Sequence, residues 1–145
     1  MESIVTYWSD DDSVLCHRAK TLLGRAQEAS GAARPTVSDF SVGAAAMLQD
    51  GSVWTGANVE NITLNLTQCA ERNLVMLLVQ AKQEGKVVAV AVYGPKSDRL
   101  SPCGSCRQLM SEYLPATTRL IFRWGDAIMN APLSALLPYS PEVKL

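Results

Sequence analysis

The chain has 145 residues, 48% of them apolar, and 13 basic against 14 acidic side chains leave a net charge of −1. That length suits one domain over residues 1–145 with a substantial buried core. The charge balance argues against disorder and offers no electrostatic footprint for a nucleic-acid polymer or an anionic membrane.

The start, MESIVTYWSDDDS, lacks the basic and then apolar run of a signal peptide, and no apolar stretch reaches the ~20 residues of a membrane span. A cytoplasmic protein is expected, in which the four cysteines serve as ligands, nucleophiles or buried thiols. Asp10, Asp11 and Asp12 read as a helix N-cap region. From Asp11 to about Ser30, Val14, Leu15, Ala19, Leu22, Leu23 and Ala26 recur at helical spacing, and SGAARP closes the run. FSVGAAAMLQDGSVWTGANVE reads as two strands, with Asp50-Gly51 as a two-residue hairpin signal. A helix follows from 69 to about 84, with Leu74, Leu77, Leu78 and Ala81 on one face and Gly85 as its stop. KVVAVAVYG suits a strand covered on both faces. A short helix over Ser105–Tyr113, a strand in TTRLIFRW and a last helix or turn in APLSALLPY complete the order. That order predicts an α/β fold, a three-layer α/β/α sandwich around a mixed sheet.

Two motifs carry chemistry, CAERN at 69–73 and PCGSCRQ at 102–108. Cys103 and Cys106 form a C-x-x-C pair that lets two thiolates converge on one ion from a turn leading into a helix. Cys69 adds a third sulfur. A closed structural zinc site has four protein ligands, whereas a catalytic one keeps a position for water, so three cysteines favour an open site. Cys16 belongs to neither motif, and on a helix it points about 100° away from His17, so those two form no nucleophile–base pair. At the start of a helix, Cys69 and Glu71 lie near the positive end of the dipole, which favours thiolate. Glu71 there can reach a zinc-bound water and shuttle its proton. Arg72 and Arg107 adjoin the two motifs, and either can offset the charge of the sulfurs.

The signature of zinc deaminases, H-x-E followed by P-C-x-x-C, is met with Cys in place of His at position 69. With FSVGAAAMLQDGSVWTGANVEN, CAER, SPCGSCRQLMSE and LSALLP in order, the chain resembles the small homotetrameric cytidine deaminases, relatives of blasticidin-S deaminase. The resemblance implies the cytidine-deaminase sandwich, one Zn²⁺ per subunit on Cys69, Cys103 and Cys106, and hydrolytic deamination of cytidine or deoxycytidine in pyrimidine salvage. It implies Glu71 as proton shuttle, Arg72 as the arginine that neutralises ligand sulfur, and the backbone around Ala70 on the pyrimidine edge. It also implies Asn58 and Glu60 on the ribose hydroxyls and Phe40 near the sugar. By their alternation with Val59, Asn58 and Glu60 share one face of a strand, where the plain alternative is an exposed polar strand end.

The chain departs from that pattern at three positions. Val37 stands where Tyr is usual, Leu64 replaces an aromatic before the first zinc cysteine, and Pro141 replaces a Phe, with Tyr139 nearby. In the family that last aromatic comes from a neighbouring subunit and stacks on the base. A missing stacking ring costs on the order of 1 kcal/mol, which keeps open a modified cytosine nucleoside or nucleoside antibiotic as substrate. A reading of another class is a zinc-binding domain that has lost catalysis, and the presence of Glu71 argues against it. Trp8, Trp54 and Trp124 read as core or interface residues.

Overall fold

The computed structural model describes residues 6–7 and 13–141, with side chains from His17 onward. Trp8 and the Asp10–Asp12 run lie outside the described residues, and Cys16 is described through its backbone alone. The elements are β1 (Thr6–Tyr7), α1 (Ser13–Ser30), β2 (Gly43–Leu48), β3 (Val53–Ala57), α2 (Ala70–Gln80), β4 (Val87–Tyr93), α3 (Gly104–Tyr113), β5 (Arg119–Trp124), β6 (Ala127–Pro132) and α4 (Leu133–Leu136). The strands form one sheet in the order β1-β6-β5-β4-β2-β3. Only β4 and β5 run parallel, joined through α3, and the remaining described pairs are antiparallel, so the sheet is mixed.

Alternation along the strands separates two cores. Ala45, Ala89, Ala91 and Ile121 face α1 and pack on Ala19, Leu22, Leu23 and Ala26. Their neighbours Ala44, Ala46, Val90, Val92 and Leu120 face the other way, onto Leu74, Leu78, Met110 and Leu133 of α2, α3 and α4. Helices on both faces give the α/β/α sandwich. Each fully buried Leu contributes roughly 1.5–3 kcal/mol. Trp54 packs against the second core, whereas Trp124 is exposed at a sheet end beside the Arg99 guanidinium.

Several elements differ from the sequence expectation. The Asp50-Gly51 hairpin has a three-residue loop, not a two-residue one: the Gly51 amide donates to Leu48, Leu48 donates to Ser52, and Gly51 takes φ +84° as a bulge. Helix α2 stops before Gly85. Lys82 adopts φ +56°, its amide donates to Val79, and Gln83 donates to Leu78, the paired bonds of a left-handed helix cap. Leu77, expected on the packed face, is 45% exposed. Strands β1 and β6 are additions; β6 follows a tight reversal at Gly125-Asp126, where Gly125 has φ +64°.

One glycine decides how α2 sits. A Cβ at Gly56 of β3 would come 2.7 Å from the Ala70 carbonyl oxygen and 2.9 Å from the Leu74 amide nitrogen. Only hydrogen fits in that gap, so the first turn of α2 rests directly on the strand.

Candidate active site

Two helix starts meet at the same end of β4. Cys69 caps α2 and Cys103 caps α3, both in extended conformation, and their carbonyls accept the first helical bonds, from Asn73 at 3.1 Å and Arg107 at 2.9 Å. Cys106, in the first turn of α3, is fully buried. The three sulfurs lie within 4.8 Å of one another. Zinc–sulfur bonds of about 2.3 Å in a tetrahedron place sulfurs ~3.8 Å apart, so this set fits one zinc ion with a fourth position left over. Cys106 donates a hydrogen bond to Cys69, which pulls the Cys69 thiol down to about 7 and, together with burial, pushes Cys106 up. The proton those sulfurs share is the one a metal ion displaces.

Glu71 is buried two residues after Cys69, and burial raises its carboxyl above the usual carboxylate range. A carboxyl that takes up a proton more readily than usual suits proton transfer near neutrality. The two arginines separate. The Arg72 charge favours the Cys69 thiolate while its Nη2 donates to Ser105 Oγ at 2.5 Å, bridging α2 to α3. Arg107 instead donates to the carbonyls of Pro102 (2.7 Å) and Leu136 (3.2 Å) and to Ser101 Oγ (3.0 Å). It is a clamp on the ligand loop, and its guanidinium is spent on oxygen.

A cavity of about 200 Å³ opens over the cysteines, lined on the metal side by Cys69, Ala70, Glu71, Cys103 and Cys106. Asn58 and Glu60 line it too, although β3 ends at Ala57 and the two flank Val59, which makes isolated bridges to Arg34 and Gln68; Val42, Gln68, Leu100 and Ser101 complete much of the wall. Both have a second task that sequence does not reveal. Asn58 accepts from the Val42 amide at 2.8 Å and donates to the Phe40 carbonyl at 2.9 Å, leaving one amide hydrogen and one lone pair. Glu60 Oε2 accepts from the Val37 and Ser38 amides at 2.8 Å each, and Oε1 accepts from Ser38 Oγ. Those donors hold the Glu60 carboxyl below its ordinary value, Ser38 Oγ most strongly. Phe40 stands outside the cavity wall, half-buried at the Gly94 backbone.

Val37 and Leu64 are exposed, and Tyr139 is fully so, with φ +54°. Asn73 escaped the sequence reading although it ends the CAERN motif: its Nδ2 donates to the Ala57 carbonyl at 2.8 Å and ties α2 to the strand end before Asn58. Among the described residues no helix is long and apolar enough to cross a membrane.

The zinc-binding region of the cytidine and deoxycytidylate deaminases matches residues 17–122. The cytidine deaminase of Halalkalibacterium halodurans is 43% identical over 121 residues, covering 81% of this chain and 89% of that protein. The crystal structure of cytidine deaminase from Burkholderia pseudomallei superposes with a TM-score of 0.78 at 33% identity, over 84% of this chain and 98% of the other. That from Mycobacterium tuberculosis gives 0.75 at 35% identity, over 86% and 97%. The chain belongs to the cytidine deaminase family. It holds one Zn²⁺ per subunit, for which Cys69, Cys103 and Cys106 are the fitting ligands.

Proposed function

We propose that residues 1–145 form one catalytic domain that hydrolyses the exocyclic amine of cytidine and deoxycytidine, giving the uracil nucleoside and ammonia. The observation that carries this reading is a buried carboxyl, Glu71, beside three convergent cysteine sulfurs in a cavity of nucleoside-compatible make-up. Zinc held by Cys69, Cys103 and Cys106 would supply an activated water for the attack on the base. Glu71 would accept a proton there and pass protons to the ring nitrogen and to the departing amine. Its buried setting excludes bulk water from those transfers. The first turn of α2 at Ala70 presents backbone to the pyrimidine edge, and Asn58 and Glu60 hold the sugar. Arg72 offsets the excess negative charge of three thiolates through its attraction for Cys69.

A role in pyrimidine salvage, a cytoplasmic location and assembly as a homotetramer belong to the same reading. The exposed side chains of Ile62, Leu64 and Leu66, close together in the segment before Cys69, support the assembly, since clustered large apolar groups favour burial between copies. Light scattering should then give about four chain masses. The decisive test is Glu71→Gln. Turnover of cytidine should fall about 10²–10⁴-fold while zinc stays at one per chain. Unchanged turnover at full zinc occupancy would defeat the assignment.

A further inference from the structure

Two loops bear on the cavity from outside the metal ligands. Loop 36–40 holds both sugar-side residues, through Val37 and Ser38 on Glu60 and through the Phe40 carbonyl on Asn58. Loop 94–102 supplies Leu100 and Ser101 to the wall and leads directly into Cys103. Between Ser38 and Phe40 stands Asp39, at φ +55°, a left-handed conformation that Asp and Asn tolerate better than most side chains.

One side chain joins the two loops. Lys96 Nζ donates to the Asp39 carbonyl oxygen at 2.6 Å and to its Oδ2 at 2.5 Å. The ammonium therefore fixes the backbone of Asp39 as well as its carboxylate. Beneath this contact the loops touch closely: a Cβ at Gly94 would come 2.7 Å from Leu100 Cδ2 and 3.2 Å from Phe40 Cε1. The hydrogen bond from Lys96, and then its charge, also hold the Asp39 carboxyl below its ordinary value.

We propose that Lys96 is a positioning residue for nucleoside binding, which pins loop 36–40 to loop 94–102 and so presents Glu60 and Asn58 to the sugar. This inference rests on the assignment of those two residues to the sugar. It predicts an effect on KM and none on the chemical step, because Lys96 bonds to Asp39 and not to Glu71 or the cysteines. A surface ion pair alone contributes little, but the bond to a backbone carbonyl adds a charge-assisted contact. Lys96→Met should therefore raise KM for cytidine about three- to tenfold. The value of kcat should stay within about twofold, and Lys96→Arg should restore most of the lost affinity. Added salt should raise KM of the natural protein and leave that of Lys96→Met unmoved, because an exposed pair is screened.

Hydrogen exchange of the Val37 and Ser38 amides gives a readout free of turnover. These two donors to Glu60 should exchange faster in Lys96→Met. An unmoved KM in a protein that deaminates cytidine would overturn the positioning role and leave the activity standing. Absence of cytidine turnover in the natural protein would sink the activity reading instead. Unchanged amide exchange would overturn the positioning role in either case.

Discussion

Cys106 and Ala70 are fully buried and Glu71 nearly so, whereas Ile62, Leu64 and Leu66, a few residues before Cys69, are 95%, 66% and 57% exposed. The metal half of the site is an extension of the core: two helix starts docked on a sheet, with Cys69 and Cys103 at capping positions and Cys106 in a first turn. The half proposed for the sugar is built from loops that polar side chains hold, Glu60 on Val37 and Ser38, Asn58 on Phe40 and Val42, Lys96 on Asp39. Chemistry is thus tied to folding, and substrate choice is tied to contacts that can change while the fold stays intact. The three departures from the family pattern, at 37, 64 and 141, all fall on exposed residues, and the first of them, Val37, is one of the loop donors to Glu60.

The sharpest way to break this contrast is to attack the metal half. Cys106→Ala should lose zinc and reduce turnover to the level of the uncatalysed reaction, and metal analysis of the purified variant checks it. Retention of one zinc per chain would show that Cys106 is no ligand. A chelator applied to the natural protein should do the same reversibly.

The sugar half should respond in KM. Glu60→Gln removes a charged acceptor, so KM for cytidine should rise roughly tenfold or more with a smaller change in kcat. The pH dependence follows from the sign of the shift. The folded-state value of Glu60 lies below its ordinary 4.5, so its loop contacts are fully present above that value and are lost as pH falls further. The Ser38 amide resonance should move below pH 4.5 in the natural protein and stay flat in Glu60→Gln. A Ser38 titration near neutrality would contradict the hydrogen bonds to Glu60.

The smallest effect should come from outside both halves. Lys82 pays for its left-handed conformation at the end of α2. Lys82→Gly should stabilise the protein by about 1 kcal/mol, raising Tm a few degrees with kcat/KM unchanged. Lower stability would mean that the Lys82 side chain makes compensating contacts.

The same division governs what could be read from sequence. The metal half was legible because chemistry constrains spacing: three cysteines and one glutamate in two short motifs leave few arrangements. Strand β4 and helix α1 were legible because their apolar patterns match one period. Strand β6, AIMNAP, was missed because it is short, mixed in polarity and closed by proline; the Gly125-Asp126 pair before it is the signal that marks its turn. The sequence pattern carries helix α2 on to Gly85, a usual stop, whereas the helix ends at Gln80 and Lys82 takes the left-handed position against propensity. Arg107 and Arg72 look alike beside their motifs, and only tertiary partners tell a loop clamp from a neutralising charge. The tasks of Asn58 and Glu60 on backbone 16 to 23 residues away could not be read from spacing at all.

Gly56 carries no chemistry, yet it sets how near α2 lies to the sheet, and α2 carries Cys69 and Glu71. In a library of all single substitutions selected for activity, position 56 should therefore be as intolerant as the ligands themselves. Leu64, nearer to Cys69 in sequence but exposed, should accept many replacements. A selection map of this chain would thus mark as essential a residue whose whole contribution is the space it leaves empty.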